Sequence, residues 1–297
     1  MFKINMLDRF ACPECFNFPL EVKAFSTKKE EIINGEIICS RCRRKYPINE
    51  GIPSMLPDEL RSRRKPKEMS WREWRKRLGV FKQRIKGWTE EDSQKTIAIY
   101  RELFRNFCLI KDSALEIGCG NGVVRHFLDR NVEYWGIDPD KGWISHPFLS
   151  FKGNIFPCLK EPFPFIQGVG EYLPFKDESF DSVIITATLD HVNSPSKVFN
   201  ESHRVLKGKG QMLLSVCVGK HNMAQAKFFS CLGRGFDRLL KGRIISLAKS
   251  IFQRIFVHIE PDLSFSMDEI FHLFRRFSDL EIKHYNNTLK FFKAKKT

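Results

Sequence analysis

Ala114-Leu-Glu-Ile-Gly-Cys-Gly-Asn-Gly122 decides how this chain is read. Ala114, Leu115 and Ile117 predict a short apolar strand, and Gly118, Gly120 and Gly122 follow at alternate positions. Glycines at a strand-to-helix turn let the backbone take positive φ and let a ligand lie against it. A dinucleotide fingerprint needs G-x-G-x-x-G, and Val123 occupies its third glycine position. The next strand is expected over 132–137 and ends in Asp138. An acid there can accept hydrogen bonds from both hydroxyls of a ribose.

Downstream comes Glu171-Tyr-Leu-Pro-Phe-Lys-Asp-Glu-Ser-Phe-Asp181, then an apolar strand expected over 182–187. Leu189-Asp-His191, a helix over 195–206, Lys207-Gly-Lys-Gly210 and a strand over 211–218 complete the run. Together with E-x-G-x-G-x-G at Glu116–Gly122, this order resembles the class I S-adenosylmethionine (SAM) methyltransferases over residues 95–218.

The resemblance implies an α/β fold: a Rossmann-like, seven-stranded, mostly parallel sheet with helices on both faces. It implies SAM as cofactor, with Glu116, Gly118, Cys119 and Gly120 on its methionine and ribose side and Asp138 on the ribose hydroxyls. Gly170 and Glu171 fall on the adenine side, where the family often has Gly-Asp-Ala-Glu and this chain has Gly168-Val-Gly-Glu171. Val169 replaces the aspartate that holds the adenine amine. Adenine recognition then rests on backbone groups, on Glu171 or on packing. Cys119 reads as a small space-filler.

Methyl transfer from a sulfonium depends largely on positioning, and needs a base only when the acceptor must lose a proton. Asp190 and His191 follow the fourth strand, where the family's active-site loop lies. They are the candidate catalytic residues, with His191 as base; packing on the sheet end is the alternative role.

Cys12-Pro-Glu-Cys15 and Cys39-Ser-Arg-Cys42 make two Cys-x2-Cys knuckles separated by 23 residues. Such a pair offers four thiolates to one tetrahedral metal, zinc first and iron second. With Tyr46-Pro-Ile and Gly51-Ile-Pro-Ser-Met-Leu56, residues 7–57 resemble the small zinc-ribbon activator of tRNA, rRNA and protein methyltransferases. That protein usually works as a separate subunit; here it would be fused to its enzyme. The rRNA guanine methyltransferases also carry an N-terminal zinc finger, but theirs typically ends in a histidine ligand. The ribbon's expected role is stability and docking.

The formal charge is +15. Residues 1–60 balance at 9 basic and 9 acidic, and 87–218 carry 14 against 17. The excess lies in 61–86, with 12 basic and 2 acidic side chains, and in 219–297, with 15 and 7. Trp71, Trp74, Leu78, Phe81, Ile85 and Trp88 space as one helical stripe. A second basic amphipathic segment is expected at about 220–259, as a lid on the substrate site or a membrane-surface helix. Charges interrupt this second segment too often for a membrane span.

The expected organisation is a zinc ribbon over 1–60, a basic linker and helix over 61–92, and a methyltransferase domain over 93–297. The expected acceptor is a small molecule, a glycan or a lipid-linked compound. An RNA acceptor, or a non-catalytic scaffold that has lost SAM, is the alternative. The chain starts without an apolar leader, and thiols arranged for metal suit a reducing compartment. A cytoplasmic location, peripheral to an anionic membrane surface, is therefore expected.

Overall fold

The structure is a computed structural model that describes residues 2–61, 72, 90–145, 155–219 and 265–297. The tryptophan-striped helix and the basic segment at 220–259 lie outside the described residues.

Seven strands form the main sheet: β5 (Ser113–Ile117), β6 (Glu133–Asp138), β7 (Phe165–Gln167), β8 (Phe180–Thr186), β9 (Leu206–Cys217), β10 (Phe277–His284) and β11 (Leu289–Lys296). Their order is β10-β11-β9-β8-β5-β6-β7. The pairs from β7 through β9 are parallel, while β11 runs antiparallel to both β9 and β10. The chain therefore reverses its direction of travel across the sheet at β5, with β6 on one side and β8 on the other.

Both faces of the sheet are covered, which explains the near-continuous apolar runs in the central strands. Leu115, Ile117, Val183, Ile185, Met212 and Leu214 point into one core, together with Val198 and Phe199 of the helix Pro195–Val205. Their neighbours Ala114, Ile184 and Leu213 point into the other core, with Leu103 and Phe104 beyond the helix Glu90–Arg101. This is the period-2 alternation of a strand. The C-terminal helix Met267–Leu273 starts on a capping box between Ser266 and Glu269.

β6 runs one residue later than expected, β8 begins two residues earlier, and the boundary between the next helix and β9 moves most. The helix ends at Val205, and β9 already begins at Leu206. Leu206 pairs with Phe180 and Gln211 with Ser182, so residues 207–210 bulge from the ladder. Lys207 then reaches Asp181, which also accepts from the Ser113 amide and hydroxyl at the start of β5. The glycine turn leads into a short 3-10 helix, Val123–Phe127.

The N-terminal strands β1 (Glu21–Lys28), β2 (Glu31–Ile38), β3 (Lys45–Asn49) and β4 (Ile52–Pro53) form a small antiparallel sheet. It is joined to the edge of the main one. Ser54 bridges Gln167 in parallel, and the Met55 amide donates to Gln167 O at 2.8 Å. On the other side of the ribbon Phe10 bridges Phe175, the Ala11 amide donates to Pro174 O, and the Lys176 amide donates to Arg9 O. Phe10 is fully buried, and its ring packs on Trp135 and Phe175. Ile37, Tyr46 and Ile48 share one core with β5, β6 and β8.

Candidate functional site

Ligands of open α/β sheets bind outside the carboxyl ends of the strands, where the strand order reverses. Gly118–Gly122 sits at that place, directly after β5. Gly118, Gly120 and Gly122 all take positive φ, at 71°, 52° and 73°. The Gly118 and Cys119 amides donate to Ile137 O, which lashes the turn to β6. A Cβ on Gly118 would lie 2.1 Å from the Thr188 methyl, and one on Gly122 would meet the Phe163 ring. A Cβ on Gly120 would meet nothing within 4 Å. Two of the glycines thus serve close packing, and Gly120 leaves open space above the turn.

Asp138 ends β6 beside that space. Its Oδ2 accepts from the Gly120 amide at 3.0 Å and its Oδ1 from the Asp140 amide at 2.8 Å. An open face at Gly120 next to a fixed carboxylate suits a ribose.

Glu116 lies beneath the turn, buried. The Tyr134 hydroxyl donates to its Oε2 and the Thr186 hydroxyl to its Oε1. Tyr100, from the helix Glu90–Arg101, donates to Thr186. Burial pushes the Glu116 carboxyl from its ordinary 4.5 up to about 8, against these hydrogen bonds. Cys119 is also buried, and burial raises its thiol well above the usual range, so it is no nucleophile.

Gly170 is packed against Ile117 and Val198 and has no room for a Cβ. Glu171 Oε1 accepts from the Asn193 and Ser194 amides, at 2.6 and 3.0 Å, just ahead of the helix Pro195–Val205. Burial raises its pKa. Val169 is buried against Leu56, Leu60 and Tyr172.

Asp190 and His191 form a short 3-10 turn after β8, with the His191 amide on Thr188 O. His191 Nε2 lies 3.8 Å from Asp190 Oδ2, and both side chains are partly buried. Cys217, at the end of β9, has its thiol raised by burial and by the Asp190 charge. Asp190 thus lies near the end of β9.

Sequence reading missed three residues that shape this site. Arg125 donates to Gly122 O, Glu161 O and Cys158 O, and stacks 4.2 Å over Phe163. Thr188 donates to Gly118 O and Thr186 O. Tyr134 holds Glu116. None belongs to a glycine or acid motif; Arg125, three residues beyond Gly122, was the one detectable signal.

In the ribbon, the ligand atoms of Cys12, Cys15, Cys39 and Cys42 all lie within 4.8 Å of one another. Cys12–Cys42 and Cys15–Cys39 are each 3.6 Å apart between sulfurs. Four thiolates at zinc–sulfur distances of about 2.3 Å in a tetrahedron would stand about 3.8 Å apart. The residues fit zinc. The Cys42 amide points at Cys39 Sγ, and the Tyr46 hydroxyl lies 3.2 Å from Cys12 Sγ. Outer hydrogen bonds of this kind orient metal ligands.

The strand order, the glycine turn at its reversal point and the carboxylate that ends β6 define a class I methyltransferase fold. Residues 115–214 match the family model described as a methyltransferase domain, and residues 5–51 match that of the Trm112p-like protein. In one chain, a segment similar to the Trm112p-like protein thus precedes one similar to a methyltransferase domain. An uncharacterized protein of Methanocaldococcus jannaschii is 43% identical over 106 residues, which is 36% of this chain and 45% of that protein. The phthiotriol/phenolphthiotriol dimycocerosates methyltransferase 1 of Mycobacterium ulcerans is 29% identical over 128 residues, 42% of this chain and 45% of that protein. The matches span less than half the length of either relative. A Pyrococcus horikoshii protein of known structure aligns with a TM-score of 0.48 at 17% identity, over 70% of this chain and 93% of that one.

Proposed function

We propose that the chain is a SAM-dependent methyltransferase acting on a small-molecule, glycan or lipid-linked acceptor. The open face of Gly120 beside the fixed Asp138 carboxylate carries this reading. Bound SAM supplies an electrophilic methyl group on a sulfonium. Gly118 and Gly120 let its methionine and ribose lie against the turn, and Asp138 takes the ribose hydroxyls. Glu116 and Cys119 support the turn from below. Gly170 and Glu171 close the adenine side, with Glu171 also anchoring the loop that follows His191. His191 accepts the proton lost by the acceptor, oriented by Asp190.

The named substrate of the M. ulcerans relative is a lipid, and this favours a lipid-linked acceptor among the three classes. None of the described helices is long and apolar enough to cross a membrane. Contact with an anionic membrane surface, a cytoplasmic site of action and the organisation as ribbon (1–60), basic linker (61–92) and catalytic domain (93–297) are parts of the same proposal.

Transfer of labelled methyl from SAM to fractionated cell extract tests it. Label is expected in the lipid or small-molecule fraction. His191→Ala should cut turnover about 100-fold or more while SAM affinity stays within a few-fold, the range of general-base contributions. Label confined to RNA, or turnover unchanged in His191→Ala, would contradict the respective parts.

A further inference from the structure

The lysines of the β10–β11 hairpin are paired with carboxylates, with one exception. Lys283 pairs with Glu102, Lys293 with Glu281 at 2.8 Å, Lys295 with Asp279 at 3.0 Å and Lys296 with Glu178 at 3.4 Å. Lys290 is only 7% exposed, the most buried of the five, and forms no ion pair among the described residues. Its Nζ donates instead to His284 Nδ1 at 3.2 Å and to Asn287 O at 3.4 Å. Burying an ammonium without an opposite charge is costly, and an anion bound beside it recovers that cost.

These contacts also fix the imidazole. An ammonium only donates, so His284 Nδ1 accepts and the ring proton sits on Nε2. His284 is exposed, as are Asn286, Asn287 and Thr288 of the turn. The third N–H of Lys290 and the Nε2–H of His284 are therefore two donors at a solvent-facing turn, and neither has an acceptor among the described residues.

Strand register places this pair beside the loop that carries His191. Lys290 lies opposite Val216 of β9 and opposite His284 of β10. The next residue of β9 toward its start, Ser215, lies opposite Thr186, near the end of β8. Lys290 is thus at the carboxyl ends of the parallel strands, the end of the sheet that holds Gly120 and Asp138. The Val218 amide donates to Thr288 O, which ties the hairpin turn to the end of β9. Val216 faces the core that also takes Leu189 and Val192, the neighbours of Asp190 and His191. Residues directly opposite across strands share a face, so Lys290 is on that side too. It stands two strands from β8, about 10 Å sideways at ordinary strand spacing.

We propose that Lys290 and His284 bind an oxyanion of the methyl acceptor, a phosphate or a carboxylate, beside the loop that carries His191. The proposal rests on the SAM reading above and narrows its acceptor to an acidic compound. The pair positions and selects the acceptor; it does not touch the transferred methyl group.

Two measurements on the zinc-loaded full chain test it. In the first, the His284 ring signal is followed by NMR as inorganic phosphate or acetate is added. It should move to saturation with one of them, and Lys290→Gln should weaken that binding by about tenfold or more, with Lys290→Arg restoring most of the loss. Zinc content and melting temperature report whether the variants remain folded; the wild-type titration needs no variant. In the second, the methyl-labelled product is identified by mass spectrometry and should carry a phosphate or carboxylate group. Recovery in the organic phase marks a lipid headgroup as its source, and recovery in the aqueous phase a soluble acid. Lys290→Gln should raise KM for this acceptor by about tenfold while affinity for S-adenosylhomocysteine stays the same. No saturable His284 shift with either anion, unchanged binding in a folded Lys290→Gln, or a product without an acidic group would overturn this proposal alone. Failure of the wild-type chain to bind S-adenosylhomocysteine would overturn the SAM reading together with it.

Discussion

Glu116 carries a carboxyl that burial holds neutral at pH 7, under a turn that its sequence motif assigned to cofactor contact. Because its pKa rises on folding, the stability linked to it is fully present below about pH 4.5. It is lost as the pH climbs to about 8, since over that window the unfolded carboxyl ionises and the folded one does not. Glu116→Gln should therefore flatten the fall of stability between those values, measured by urea unfolding at several pH values; an unchanged slope would contradict the assignment. The glycines separate in the same way. Gly118→Ala should lower the melting temperature sharply, because its methyl collides with Thr188 in a left-handed backbone. Gly120→Ala meets no atom and should cost only the about 1–2 kcal/mol of left-handed strain, yet weaken nucleoside binding. Sequence showed three equivalent glycines. Their different duties depend on Thr188 and Phe163, which are distant in the chain and close only after folding.

The elements were legible where one period dominated. The runs around β5, β6 and β8 are apolar on both faces because both faces are covered. The start of β9 was not legible. Lys207-Gly-Lys-Gly210 has turn composition, yet its backbone bulges inside a strand, flanked by the pairing of Leu206 with Phe180 and of Gln211 with Ser182. The four-cysteine pattern could be read directly, because ligand spacing is a local property. One zinc per chain is expected by elemental analysis, and Cys42→Ser should remove it and lower the melting temperature. Full metal retention in that variant would count against the tetrathiolate site.

At the scale of the whole molecule, the N-terminal module and the main sheet share one apolar core. Sequence suggested a docking module but gave no sign that Phe10 would insert between Trp135 and Phe175, since their pairing crosses more than 120 residues. Phe10→Ala should cost about 3–5 kcal/mol and destabilise both parts together, seen as a single shifted unfolding transition. Two separate transitions, with the main sheet unaffected, would argue against a common core. The central claim is that the crevice beside Asp138 holds SAM. Calorimetric titration of the zinc-loaded chain with S-adenosylhomocysteine tests it most directly. The account predicts micromolar binding that Asp138→Ala weakens by about 10- to 100-fold, the worth of hydrogen bonds to a charged group. Absence of binding at millimolar ligand, or affinity unchanged in Asp138→Ala, would contradict it.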